Sequence, residues 1–189
     1  MESLLSDARI LCDSVSEPAV FSSLYERHLR AVANYVARRT GSELSEDLTA
    51  EVFVRAFRKR AVFRDDRGSA LPWLLGIANH VIADHRRAER RRLETLQRLA
   101  TTRPGASETS VGVLAPELVG ELLRLPAADR DTLLLIVWGE LSYAEAAAAL
   151  SVPIGTIRSR IARARKRLGA AIGQPADPDA PILKGESRA

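Results

Sequence analysis

Apolar residues recur at three- and four-residue steps along most of the chain, the spacing that places them on one face of an α-helix. In the first half, this spacing predicts three amphipathic helices: over about 18–39, over a segment that begins at a capping Ser45, and over about 70–92. No segment shows the sustained alternation of a β-strand. The second half repeats the helical spacing in four shorter segments, 116–123, 126–138, 142–150 and 154–172.

Three stretches without this spacing divide the chain. Residues 1–17 are predicted to be a flexible leader, and residues 96–115, rich in Thr, Ser, Gly and Pro, a flexible linker. Residues 173–189 hold Pro and Gly throughout and are predicted to be a disordered tail. The predicted fold class is therefore all-α, with two small helical domains at 18–95 and 116–172.

Several classes of protein are not supported by the sequence. The longest apolar run, at 133–138, is far shorter than the roughly 20 residues of a membrane span, and the N-terminus is acidic, so we expect a cytoplasmic protein without membrane insertion. Cys12 is the single cysteine and the three histidines lack a ligand spacing, so neither a disulfide nor a metal or other cofactor is expected. Nucleotide-binding and nucleophile motifs are missing from the sequence, and we predict no enzyme.

Positive charge is concentrated in two places on a chain of net charge +4. Residues 84–103 carry seven Arg against three acids, and residues 154–169 carry five Arg and one Lys with no acid. The planar guanidinium fork suits phosphates and base edges, although an excess of Arg over Lys is also expected from a genome's base composition. The clustering of arginines in two segments therefore indicates nucleic-acid binding more strongly than the total number of arginines does.

The strongest local signal is a helix-turn-helix at 142–161. Ser142 caps a short Ala-rich helix, 151–153 form the turn, and a second helix buries one apolar stripe. The other faces of that helix carry basic residues and no acidic ones. A surface exposed only to solvent usually carries both signs of charge, so we predict that this helix binds in a major groove of DNA. The candidate contacts to DNA are Thr156, Arg158, Ser159, Arg160 and Arg163.

Motifs in both halves resemble the extracytoplasmic-function (ECF) group of bacterial sigma factors. In the second half the matching segments are LPAADRD at 125–131, GELSYAE at 139–145 and VPIGTIRSRIARAR at 152–165. In the first half they are FSSLY at 21–25, EDLTAEVFVRAF at 46–57, LPWLLGIA at 71–78 and DHRR at 84–87. Ala50, His80 and Ala146 depart from the family's usual Gln, Asn and large aliphatic residue.

The resemblance implies an initiation factor that binds core RNA polymerase, through the β′ clamp helices and the β flap, and selects promoter DNA. It implies that the helix-turn-helix binds the minus-35 element and that the turn and helix at 63–87 bind the melted minus-10 element. It also allows an anti-sigma factor as a partner. Within the segment 63–87 we predict contacts to the minus-10 element from Asn79 and His80, the donors best placed near the turn, and from Arg86 and Arg87. The residues that the resemblance implies for polymerase docking are Asp47, Glu51, Phe53 and Arg55.

Two other interpretations remain open from the sequence. A helix-turn-helix regulator would bind DNA without joining the polymerase, and a pure interaction module would act as an antagonist of another sigma factor. The three N-terminal helices discriminate between these, because a stand-alone regulator has no need of a docking helix followed by an Arg-rich helix. Trp73 and Trp138 are predicted to be core side chains.

Overall fold

A computed structural model of the chain describes residues 5–63, 69–99 and 116–171. Within these ranges every regular element is helical, which confirms the predicted all-α fold. The chain divides into two compact units, Met1–Gly112 and Val113–Ala189. No helix among the described residues is long and apolar enough to span a membrane.

In the N-terminal unit, residues 5–63 and 69–99 form four helices, and two 3-10 turns connect some of them. Helices α2, α3 and α4 pack against one another, while α1 packs against α2 and the second 3-10 turn. The helices are α1 (Asp7–Ser16), α2 (Phe21–Thr40), α3 (Ser42–Lys59) and α4 (Leu71–Leu99), and the turns are Pro18–Val20 and Arg60–Val62.

The core of this unit is the apolar stripe of α2, α3 and α4. Each large aliphatic side chain buried there stabilises the fold by roughly 1.5–3 kcal/mol relative to exposure, so the stripe is what holds the three helices together. The buried apolar residues of these helices are Phe21, Leu24, Val32, Tyr35, Val36, Leu48, Val52, Phe53, Ala56, Leu74, Leu75, Ile77, Ala78, Val81 and Ile82.

Helix α1 corrects the prediction of a flexible leader over 1–17. Residues 7–16 form a helix whose Ile10 and Leu11 are almost completely buried, and whose start is capped by the Ser6 side chain accepting from the Arg9 N–H at 3.3 Å. The helix spans fewer than three turns, so its apolar residues are too few for a sustained period. The first four residues of the predicted leader lie outside the described residues.

Two helix boundaries also differ from the prediction. Helix α3 begins at Ser42, directly after Gly41, whose φ of 82° ends α2. Ser45 therefore lies inside the helix, and its hydroxyl donates to the Ser42 carbonyl at 2.8 Å instead of capping. Helix α4 continues to Leu99, because the Arg-, Glu- and Leu-rich residues beyond 92 favour helix, so 96–99 are not linker. The remaining linker and the tail lie outside the described residues.

The C-terminal unit comprises α5 (Pro116–Arg124), α6 (Ala127–Val137), α7 (Tyr143–Leu150) and α8 (Ile154–Ala171). Helix α8 packs against the other three through buried Ile157, Ile161 and Ala164. Helix α7 begins with a reciprocal capping box, in which the Ser142 side chain accepts from the Glu145 N–H and the Glu145 carboxylate accepts from the Ser142 N–H. The predicted helix-turn-helix is confirmed.

Candidate functional site

The outer face of α8 carries the predicted minus-35 residues. Arg158 is exposed and makes no hydrogen bond or ion pair with any other residue that the structure describes. Ser159 is exposed, and its hydroxyl donates to the Thr156 carbonyl at 2.9 Å, while Thr156 itself is half-buried. The exposed cation nearest the start of the recognition helix is thus Arg158, in the part of such a helix that reaches base edges.

Arg160 and Arg163 are held by α6 instead of projecting freely. Arg163 donates from Nε and Nη2 to the two carboxylate oxygens of Asp129, at 3.0 and 2.7 Å. The Asp129 side chain is 3% exposed and that of Arg163 is 55% exposed. Arg160 Nη1 donates to Thr132 Oγ1 at 3.4 Å, the long end of the hydrogen-bond range.

Asp129 was not among the predicted site residues. It lies in the first turn of α6, where an acid is favoured by the helix dipole alone, so its position gave no reason to pair it with α8. Its hydrogen bonds and negative charge raise the pKa of Arg163 above its ordinary value, and the guanidinium stays charged.

The predicted docking residues on α3 separate into two groups. Asp47 is exposed, and Glu51 and Arg55 one turn apart form an ion pair at 2.7 Å. Phe53 is only 4% exposed and its ring packs edge-on against Tyr25, with centroids 4.7 Å apart. The prediction that Phe53 contacts polymerase is therefore wrong for this conformation, because the side chain belongs to the core.

Arg55 links α3 to the Arg-rich half of α4. Its Nη1 donates to Asp84 at 2.6 Å, and Asp84 also accepts from Arg87. Hydrogen bonds from Arg55 and Arg87 lower the pKa of Asp84, and those to Asp84 and Glu51 raise the pKa of Arg55. One chain of ion pairs, Glu51–Arg55–Asp84–Arg87, thus connects a predicted docking surface with a predicted minus-10 residue.

The other predicted minus-10 residues occupy different environments. His80 is exposed. Asn79 is buried, and its Oδ1 accepts from Tyr35 Oη at 2.9 Å and from Arg39 Nη1 at 2.7 Å. A base cannot reach Asn79 there, so the structure corrects its predicted base contact to a buried link between α2 and α4. Arg86 Nη2 donates to the Arg39 carbonyl at 3.0 Å, near the end of α2.

A buried carboxylate at the start of α1 was also missed. Asp7 accepts from the backbone N–H of Ala70 at 2.6 Å, from His28 Nε2 at 2.7 Å, and from Arg27 Nη1. Burial alone would raise the pKa of Asp7, but the bonds from Ala70, His28 and Arg27 outweigh it and the net shift is downward. Asp7 therefore joins α1 and α2 to the residue that precedes α4.

Comparison with known proteins places both units in one family. The model for Sigma-70 region 2 matches residues 24–92, and that for Sigma-70, region 4 matches residues 117–168. The ECF RNA polymerase sigma factor SigC of Mycobacterium tuberculosis (strain CDC 1551 / Oshkosh) is 39% identical over 142 residues, covering 72% of this chain and 75% of that protein. The ECF RNA polymerase sigma-E factor of Escherichia coli (strain K12) is 32% identical over 161 residues, covering 78% and 84%.

Solved structures share the fold. The sigma factor RpoE in complex with the anti-sigma factor NepR from Bartonella quintana superposes with a TM-score of 0.59 at 24% identity, covering 81% of this chain and 96% of that one. CnrH in complex with the cytosolic domain of CnrY gives a TM-score of 0.60 at 24% identity, covering 88% and 97%.

Two helical units, the second of which carries a helix-turn-helix with a cationic outer face, are typical of a transcription factor that binds promoter DNA. The chain belongs to the ECF group of RNA polymerase sigma factors. A sigma factor joins core RNA polymerase and directs transcription initiation at specific promoters, and this is the function of the chain.

Proposed function

We propose that three surfaces divide this work. Helix α8 reads the minus-35 element in the major groove through Arg158, with Ser159 and Thr156 beside it. Helix α4 contacts the opened minus-10 element through His80 and Arg87, and α3 docks on core polymerase through Asp47, Glu51 and Arg55. The factor works by binding and strand separation in the cytoplasm, and the polymerase supplies the nucleotidyl transfer.

The observation that carries the proposal is the exposed, uncompensated Arg158 in the second turn of the recognition helix. A helix fits the major groove, and an arginine that is not engaged within the protein can offer its fork to guanine O6 and N7. A regulator that never joins polymerase would need only this unit. The exposed Asp47 and the half-buried Glu51 on α3 favour the sigma-factor assignment, since they offer negative charge to a protein partner rather than to DNA.

An anti-sigma factor is part of the same proposal. The Bartonella RpoE was solved with one, and the N-terminal unit here leaves apolar side chains on α2 and α3 exposed, which an inhibitor could cover in competition with polymerase. These side chains are Tyr25, Leu44 and Val54.

The minus-35 assignment is tested with full-length chain and core polymerase on a library of randomised promoter-length duplexes. Arg158→Ala should cost about 1–3 kcal/mol at one base position and relax the preference there. Arg124→Ala, which removes an equal charge from α5 in the same unit, should leave every base preference unchanged. Equal weakening on all sequences by Arg158→Ala would assign Arg158 to a phosphate instead.

A further inference from the structure

One side of α6 supports two arginines of the recognition helix. Asp129 and Thr132, three residues apart, are both buried, and each meets one arginine of α8. Thr132 Oγ1 donates to the Ala128 carbonyl at 2.7 Å, so its lone pairs face Arg160. Both arginines, Arg160 and Arg163, are among the residues that the sequence predicts to contact promoter DNA.

The bond between Asp129 and Arg163 leaves part of the guanidinium usable. A guanidinium has five N–H donors, and the carboxylate takes one from Nε and one from Nη2. Nη1 keeps both of its N–H groups and Nη2 keeps one, and these three lie on the edges that Asp129 does not occupy. With more than half of the side chain exposed, Arg163 still presents a two-donor fork to solvent.

An arginine held in this way favours recognition of one particular base over general attraction to DNA. The plane of the guanidinium is fixed before DNA arrives, so less side-chain freedom is lost when the fork meets a base. The negative charge of Asp129 also offsets the attraction of Arg163 for phosphates, which all sequences share. The Asp129–Arg163 pair therefore lowers the general affinity for DNA and raises the discrimination between bases at one position.

We infer that Asp129 is a positioning residue for promoter recognition, which aims the free fork of Arg163 at a guanine in the minus-35 major groove. The inference rests on the proposed function, because it requires α8 to lie in that groove. Asp129 itself does not contact DNA.

The test uses the holoenzyme made from the full-length chain and core polymerase, and selection from randomised promoter-length duplexes. Arg163→Ala first identifies the base position that Arg163 reads. Asp129→Asn should then lower the preference at that same position by roughly tenfold, since an amide cannot accept both N–H groups, while other positions stay unchanged. Glu121→Gln, which removes an acid from an ion pair within α5, is the matched control and should change nothing.

A second measurement separates positioning from a purely structural role. Freed from Asp129, Arg163 should pair with a phosphate, so Asp129→Asn should bind an unrelated duplex more tightly and with a salt slope steeper by about 0.9. Destabilisation would weaken that binding instead. Arg163→Lys, which keeps the charge and leaves Asp129 in place, should also lose the base preference, because an ammonium has no fork.

The outcomes are distinct. An unchanged preference in Asp129→Asn, at a position that Arg163→Ala does alter, overturns the inference and leaves the proposed function standing. Uniform weakening by Arg163→Ala overturns it too, because Arg163 then reads no base. Failure of the unaltered holoenzyme to select any sequence refutes the proposed function itself, and the inference with it.

Discussion

Replacing Asp7 by Ala should lower the denaturant concentration at which the N-terminal unit unfolds. The carboxylate is 2% exposed and accepts from three donors on two other segments. Its removal leaves the buried N–H of Ala70 without a partner, which costs about 1–3 kcal/mol. Breaking a buried ion pair costs about 3–5 kcal/mol, but Arg27 is a third exposed and can return to water. We therefore expect a loss of about 2–4 kcal/mol.

The measurement is urea unfolding followed by the fluorescence of Trp73, which lies in the N-terminal unit. The chain's second tryptophan, Trp138, lies in the other unit, so a Trp138→Phe background isolates the signal. The matched control is Asp13→Ala on the same helix, whose exposed pair with Arg9 should contribute less than about 1 kcal/mol. A loss in Asp7→Ala no larger than that in Asp13→Ala would refute the reasoning.

The Asp7 carboxylate also makes the stability of the N-terminal unit depend on pH, in the direction that its pKa shift determines. Because folding lowers the pKa of Asp7, the unfolded chain binds its proton first, and the stabilisation is fully present above the ordinary aspartate pKa of 3.8. It should be lost as the pH falls below that value and through the folded-state pKa. Asp7→Asn should reduce this loss of stability at acidic pH. An unchanged dependence of stability on acidic pH would show that other carboxylates produce it.

Three further predictions concern the remaining surfaces. Glu51→Arg should reduce co-purification with core polymerase while leaving binding of the full-length chain to minus-35 duplex intact; undiminished co-purification would exclude Glu51 from the docking surface. His80→Ala in the holoenzyme should reduce permanganate reactivity of minus-10 thymines on duplex promoter but not on a pre-melted bubble, and normal opening of the duplex would contradict the role of His80. Ser142→Ala should destabilise the C-terminal unit by about 1 kcal/mol in Trp138 fluorescence by removing the capping box, and retention of full stability would show that packing alone fixes the start of α7.

Features that are local in sequence could be predicted from it. The cap at Ser142 and the turn at Ser151, whose φ of 53° is left-handed, lie within ten residues of each other and mark the helix-turn-helix without tertiary information. The apolar stripes of α2, α3 and α4 likewise follow from spacing alone. The resemblance to sigma factors rests on these same local segments, and they are therefore sufficient to indicate the family.

Contacts between distant residues could not be predicted in this way. Asp7 reaches Ala70 across 63 positions, Tyr35 reaches Asn79 across 44, and Asp129 reaches Arg163 across 34. No periodicity encodes such a pair, since either member alone is typical of a helix terminus or a polar face. The predicted base contact of Asn79 failed for this reason, because its place in α4 does not show that it pairs with Tyr35 on α2. Phe53 is a different case, since it lies on the apolar stripe of α3, which the spacing already predicts to be buried.

Burial distinguishes the charges that hold the fold from those that a partner can take over. The side chains of Glu51, Arg55, Asp84 and Arg87 are 31–55% exposed, and ion pairs at that exposure contribute roughly 0–1 kcal/mol. Polymerase or a phosphate can therefore replace one of these partners at little cost to the unit. The buried carboxylates Asp7 and Asp129 have no such freedom, because a carboxylate left unpaired in the interior costs several times more. Exposed pairs are thus where binding partners should exchange, and buried carboxylates are what keep the binding surfaces in position while they do.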